Sequence, residues 1–177
     1  MSKPKLTDTL EFPTDLNVTK SLFGVGIVGL LATGVGYFLE HDQFFFSYLV
    51  SFTFFSGIAL ASLFFVMLQH LTRSEWSTAL RRIPEAMSSN LWIWGLFVIP
   101  ILLGMHSLYH WTHPEAVASD PVLQGKEPYL NTPFFIIRQV IYFALWSFLG
   151  YRMYNKSVEM DETGDWGLKT LLRRTSG

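Results

Sequence analysis

The chain has 177 residues, half of them apolar and 16% aromatic, with only 15% charged and a formal net charge of −1. Soluble domains carry about 25% charged residues, so this composition, with a mean hydropathy of +0.29, argues against a soluble protein. The near-zero charge excludes a global field for nucleic acid. The lack of cysteine excludes disulfides, thiolate-held iron–sulfur clusters and covalently attached c-type haem in this chain.

The expected fold is an all-α membrane protein with four transmembrane helices in an up-down bundle. The spans fall at about 21–39, 44–69, 88–109 and 134–154, each near the ~20 apolar residues that cross a bilayer. A polar tail, 1–20, comes first, with Asp8, Glu11 and Asp15 among its charges. The first span is uncharged and ends in Glu40-His41-Asp42 with no small-residue cleavage site, so it is not a cleavable signal.

Residues 24–29 read GVGIVG, the letters of a dinucleotide-binding turn. The context fails. Lys20-Ser21-Leu22-Phe23 is no buried strand, and Leu49, not an acid, stands where the ribose-binding residue belongs. Gly26, Gly29, Thr33 and Gly36 instead share one helical face, a small-residue groove of the kind that lets helices approach in lipid. The second span, after a link of about four residues, carries Gly57-x-x-x-Ala61. It is the expected occupant of that groove, as a short link requires antiparallel neighbours.

Thr72-Arg73-Ser74-Glu75 reads as a capping box that opens a short amphipathic helix at the membrane interface. Trp76, Leu80 and Ile83 make its apolar face, Arg81 and Arg82 are exposed, and Pro84 ends it and can sit at the first turn of the third span. Pro100 is expected to kink the third span. The 110–133 loop is long enough to be structured. In it Asp120-Pro121 reads as a helix cap, Gly125 as a stop, and Thr132-Pro133 as the start of the fourth span. The 155–177 segment is a polar tail or a link to a further bundle.

Basic residues set the orientation. Lys3, Lys5 and Lys20 lie in the first tail, Arg73, Arg81 and Arg82 in the 69–89 link, and Lys156, Lys169, Arg173 and Arg174 in the last tail. The 40–43 link has none and the long loop only Lys126. Both termini are therefore expected on the cytoplasmic side, and the 110–133 loop outside.

Ionisable residues at membrane depth are functional candidates, because a charge there costs several kcal/mol unless paired or hydrated. Arg138 is expected roughly 8 Å outward of the midplane and His106 roughly 10 Å, at 1.5 Å per residue. His110 follows one turn beyond His106 on the same face. Asp120, Glu127 and Glu115 of the outer loop, or a partner subunit, are the candidate partners of Arg138. Two uses are open: a pin holding the loop to the bundle, or an outer half-channel for protons or a site for a quinone or lipid head group. His106, His110, His113 and Glu115 could form a metal site, though a hydrated mouth fits better. His106 and His110 share a helix, so they cannot be the two axial ligands of a haem. At the other end Gln69, His70, Arg73 and Glu85 gather, either as capping and salt bridges or as the cytoplasmic mouth of a proton path. No nucleophile–base motif and no P-loop occurs, so nothing in the residues alone indicates an enzyme site.

Several runs carry a resemblance: LQHLTRSEWSTALRRIPEAM, PILLGMHSLYHWTHPEAVASDPVLQGKEPYLNTPFFIIRQVIYFALWSF and the final LLRRTSG. From about residue 68 onward they resemble the F-type membrane subunit of bacterial alternative complex III, a quinol:cytochrome c oxidoreductase. The first two spans fit in placement only. The resemblance implies the bacterial inner membrane and no redox cofactor in this chain. It implies partners that hold haem c and iron–sulfur clusters, and a related membrane subunit that binds quinol. It also implies a possible second quinone site and a proton path. Family members have about ten spans in two bundles, so four spans suggest an N-terminal fragment or a truncated product. A transporter or channel fragment, and a purely structural assembly subunit, are the alternatives.

Overall fold

The computed structural model describes residues 16–72, 80–164 and 167–176. All regular structure among them is helical. Four segments are long and apolar enough to cross a membrane: Val18–Leu39, His41–Thr72, Arg82–Leu103 and Thr132–Thr163. The chain is accordingly a membrane protein, and it divides into two compact units, Met1–Phe44 and Phe45–Gly177.

The first unit is essentially helix α1 (Leu16–Leu39) with the start of α2 (His41–Thr72). A single helix has no interior, and α1 is apolar on every side, as a helix surrounded by lipid can be. Tyr37 organises its end, with its ring edge-on to His41 at 4.7 Å and to Phe44 at 5.5 Å. The Thr33 hydroxyl donates back to the Gly29 carbonyl at 2.7 Å. A Cβ added at Gly26 or Gly29 would meet nothing, and one at Gly36 would rest 3.9 Å from the Phe44 ring.

In the second unit, α2 turns Ser56, Ala59, Ser62, Leu63 and Val66 inward. Gly57 and Ala61 lie on its exposed side, away from that core. The third span departs from the expected single kinked helix. It is four consecutive pieces: α3 (Arg82–Ser89), α4 (Leu91–Phe97), α5 (Ile99–Leu103) and α6 (Met105–Leu108). Asn90 and Gly104 interrupt it with nearly identical backbone angles (φ −95°, ψ 13° and φ −91°, ψ 13°), in the sparsely allowed bridge region. The Asn90 amide donates to the Ala86 carbonyl at 2.8 Å, which closes the end of α3.

The interruption at Val98 follows from Pro100, which has no N–H to donate to Leu96. Next to it the Phe97 carbonyl accepts a 2.7 Å bond from the Tyr48 hydroxyl of α2. Removing that hydroxyl with Tyr48→Phe should cost about 1 kcal/mol. Thermal unfolding in detergent measures it, and an unchanged midpoint would show that the carbonyl needs no donor.

Pro84 lies in the first turn of α3, at the start of the third span as expected; the helix it was expected to end lies outside the described residues. The first turn tolerates it because N–H groups there have no intrahelical partner. Leu80 and Arg81 form a turn before α3, while Arg73, Ser74, Glu75 and Trp76 of the expected capping box and interfacial helix lie outside the described residues. Thr72 is the last residue of α2, its hydroxyl donating to the Leu68 carbonyl.

The long loop is structured, as expected. A 3₁₀ turn (His110–Thr112) leads to α7 (Pro114–Ser119) and α8 (Pro121–Lys126). Asp120 caps α8, its carboxylate accepting from the Val122 N–H at 2.8 Å. Gly125 sits within the last turn of α8 and does not stop it. Helix α9 (Thr132–Thr163) starts at Thr132-Pro133, as expected, and Asn131 caps it, accepting from the Phe134 N–H at 2.9 Å. The fourth span continues beyond 154 to Thr163, where Gly164 adopts φ 69° and stops the helix. That left-handed angle is cheap only for glycine. Helix α10 (Gly167–Ser176) then lays Leu172 against Val66 and Met153.

The core is stacked along the helices. Val98, Ile101 and Phe143 pack with Phe52, Trp94 and Trp146. Ala59, Leu63 and Leu91 form the next layer, and Val66, Met153 and Leu172 the last. Glycines set the closest approaches. A Cβ at Gly95 would stand 3.3 Å from Phe143, one at Gly104 2.1 Å from the Phe45 ring, and one at Gly150 2.2 Å from the Ser88 carbonyl oxygen.

Candidate functional site

The second unit's most polar feature lies where the end of α2 meets α3 and the late turns of α9. Its centre is Glu85, which is fully buried. The sequence places Arg81 and Arg82 four and three residues before it, the spacings at which helical side chains meet. Arg82 Nη1 donates to Glu85 Oε2 at 3.1 Å. Arg81 Nε stands 3.0 Å from Glu85 Oε1, and His70 Nε2 3.8 Å from the same oxygen. The Arg81 N–H is not aimed at that oxygen, so this contact is an ion pair and not a hydrogen bond, and His70 stands beyond hydrogen-bonding distance.

The continuation of α9 supplies the counter-charge. Asp161 pairs with Arg81 Nη2 at 3.2 Å and with Arg82 Nη2, and the Ser157 carbonyl accepts from Arg82 at 3.4 Å. Two carboxylates and two guanidiniums thus form one node. Its Arg81 side chain is only 13% exposed, whereas Asp161 is 49% exposed. Within the same end of the unit Gln69 Oε1 and Ser157 Oγ are enclosed without a hydrogen-bond partner among the described residues.

The node brings together His70 and Glu85, as expected, with Gln69 buried beside them; Arg73 lies outside the described residues. Arg81, with its side chain 13% exposed, corrects the expectation of an exposed helix face, because it turns towards the buried Glu85; Arg82 keeps 39% exposure while reaching both carboxylates. The Arg81–Glu85 spacing was a readable signal. Nothing in the sequence pointed to Asp161 and Ser157, which are more than 70 residues away along the chain.

The opposite end of the unit carries the other candidates. Gly104 meets Phe45 while Glu85 meets His70, and Phe45 and His70 are about 38 Å apart along α2 at 1.5 Å per residue. His106 and His110 are exposed. The His106 and His113 rings lie 3.9 Å apart, with His113 Nε2 donating to the His106 carbonyl at 2.9 Å; the His110 ring is 6.1 Å from His113. These residues and Glu115 do not converge as ligands, and no three His, Asp or Glu side chains do so among the described residues.

Arg138 also departs from expectation. Asp120 is used as a helix cap, and among the described residues no carboxylate, including Glu115 and Glu127, pairs with Arg138. Its guanidinium instead covers the Tyr129 ring at 3.6 Å, with Phe134 at 4.8 Å and Phe135 at 5.9 Å. The contact with Tyr129 ties the loop to α9 by cation–π attraction.

Between the two ends the buried polar groups are Ser56 and Ser62 on α2, each donating to a carbonyl one turn back, Phe52 at 2.6 Å and Ile58 at 2.8 Å. The chain is thus a helical membrane protein whose second unit has a buried ion-pair node at one end and an aromatic, histidine-bearing loop at the other. In comparison with known proteins, no family model and no curated sequence matches the chain.

Proposed function

We propose that the chain is an integral subunit of a bacterial quinol:cytochrome c oxidoreductase of the alternative complex III type, in the inner membrane. It carries no redox cofactor itself. It supports assembly and handles protons or quinone beside partners that hold haem c, iron–sulfur clusters and quinol. The node is the observation that carries this reading. Gln69, His70, Arg81, Arg82 and Glu85 all fall within the run at 68–87 that bears the family resemblance, and a carboxylate with no exposure is at its centre. A buried ionisable group at a span end is expensive and is kept where charge or protons are handled.

The contacts Gly104–Phe45, Gly95–Phe143, Gly150–Ser88 and Arg82–Asp161 support an up-down order for the last three spans. The distribution of basic residues supports a cytoplasmic side for the node and an outer side for the histidine-bearing loop. The open faces at Gly26, Gly29 and Gly57 are then assembly surfaces. A transporter shares the interrupted third span. However, α1, α2 and α9 run unbroken, so among the described residues no second broken helix pairs with it.

The test is purification of the tagged chain from its native membranes. Co-purifying haem c and quinol:cytochrome c activity support the proposal, and a chain that emerges alone refutes it. In the assembled complex, Arg138→Leu and His106→Leu are then measured for quinol oxidation and proton uptake. If both activities survive, these two positions are structural. Gly29→Leu should lower recovery of the complex without altering the chain's own stability, because its side chain enters open space. Full recovery would dismiss that face as an assembly surface.

A further inference from the structure

We propose that Arg138 holds the phosphate of a membrane phospholipid, with the acyl chains lying along the face of α9 below it. Arg138 is the seventh residue of α9, about 9 Å along the axis from Thr132. Helical side chains lean towards the N-terminus. Its guanidinium therefore reaches back out of the span and stacks on Tyr129, which precedes the helix. This is the snorkelling posture of a long cation at a bilayer surface. Tyr129 and Phe134 are 55% and 39% exposed and form the aromatic level at which lipid head groups sit.

The charge needs an anion. No described carboxylate pairs with Arg138. Nη1 is enclosed without a hydrogen-bond partner among the described residues, so Nε and Nη2 are the donors left to an anion from outside. The Tyr129 ring covers the face of the guanidinium, and a stacked guanidinium keeps its in-plane N–H groups for a phosphate. Towards the middle of the span, Ile141, Tyr142 and Leu145 follow Arg138 at helical spacing and are 55%, 41% and 51% exposed. A head-group charge above an exposed apolar strip matches a phospholipid. It does not match a free phosphate, which has no tail to use the strip. The inference rests on the helices crossing a bilayer and not on the identity of any partner subunit.

The test uses the full chain in detergent, and native mass spectrometry with added phosphatidylglycerol. The wild-type chain should retain one lipid. Arg138→Gln should bind at least about tenfold more weakly, the factor that loss of one charge-assisted hydrogen bond produces. Arg138→Lys should fall between the two, because an ammonium keeps the charge but not the fork. Tyr129→Leu, which keeps the charge but not its platform, should weaken retention severalfold and serves if Arg138→Gln does not fold. Diacylglycerol with the same tails should not be retained, and inorganic phosphate should not displace the lipid. The proposal is overturned if the wild-type chain holds no lipid, or if Arg138→Gln and Tyr129→Leu both hold it as well as wild type. Equal retention of diacylglycerol would overturn it in favour of a tail-only groove, and displacement by phosphate in favour of a simple anion site. The assay contains no partner subunit, so its failure and that of the respiratory-complex assignment are read separately.

Discussion

Replacing Gly150 with alanine should destabilise the second unit by about 3 kcal/mol, at the upper end of what overpacking a close-packed contact costs. The new Cβ would stand 2.2 Å from the Ser88 carbonyl oxygen and 2.9 Å from its carbon. Both are backbone atoms, so no rotamer change can make room. Helices α3 and α9 would have to separate. Alanine improves helix propensity by up to about 1 kcal/mol over glycine, which is too little to offset the clash. Gly57→Ala is the matched control. Its Cβ would meet nothing, so the propensity gain should appear alone and the variant should be as stable as wild type or slightly more so. Unfolding in mixed micelles compares the two. Equal stability of Gly150→Ala and wild type would refute the close approach of α3 and α9. In lipid that approach matters doubly, since helices there associate through close packing and not through expulsion of water.

The second large effect belongs to Glu85. Glu85→Ala should cost about 3–5 kcal/mol, the cost of breaking a buried ion pair from one side. The loss is not the worth of one contact. It reflects Arg81 and Arg82 left with Asp161, a half-exposed carboxylate, as their only described acidic partner. Glu85→Gln should cost less, because an amide oxygen still accepts from Arg82 Nη1. Asp161→Asn should cost well under half as much as Glu85→Ala, and its effect should shrink with added salt, since exposed pairs are screened. The Glu85→Ala penalty should persist at high salt. An equal salt response of the two variants would show that the Glu85 end of the node is open to solvent.

These variants bear on function as well as stability. If Glu85 handles protons, Glu85→Gln should assemble and yet lose proton uptake. A purely structural node should lose assembly and activity together.

How far each feature was readable depends on the range over which its cause acts. Four apolar stretches gave the spans, because crossing a bilayer needs only length and apolarity in one segment. Asp120 before Pro121 announced a helix start because capping involves residues two or three apart. Pro100 marked an interruption, since a missing N–H acts one turn back. Asn90 and Gly104 gave no comparable warning. Their breaks exist where α9 and Phe45 press on the third span. The boundary at 154 misled because the chain turns polar there while remaining helical until Gly164.

The glycines make the same point. Gly26, Gly29 and Gly36 attracted attention by their periodicity, yet the contacts that exclude a side chain are at Gly104 and Gly150, which stand alone in the sequence. A glycine is needed where two backbones or a ring and a backbone meet, and that is a property of both partners. Arg138 was recognisable as a costly charge inside a span, but its neighbours were misjudged. The side chain leans back along the helix and takes an aromatic face within reach, leaving the loop carboxylates elsewhere.

By itself, then, the sequence determined a helical membrane protein with four spans, a structured loop between the third and fourth, and polar residues concentrated at the span ends. Those properties follow from hydropathy, helical period and capping, all local to a segment. Only the tertiary structure decided that Arg81 turns inward, that Asp161 completes the node around Glu85, and that Gly150 is where α9 comes closest to the α3 backbone. Each of these depends on the register between helices far apart in the chain, and register is set by how their surfaces pack.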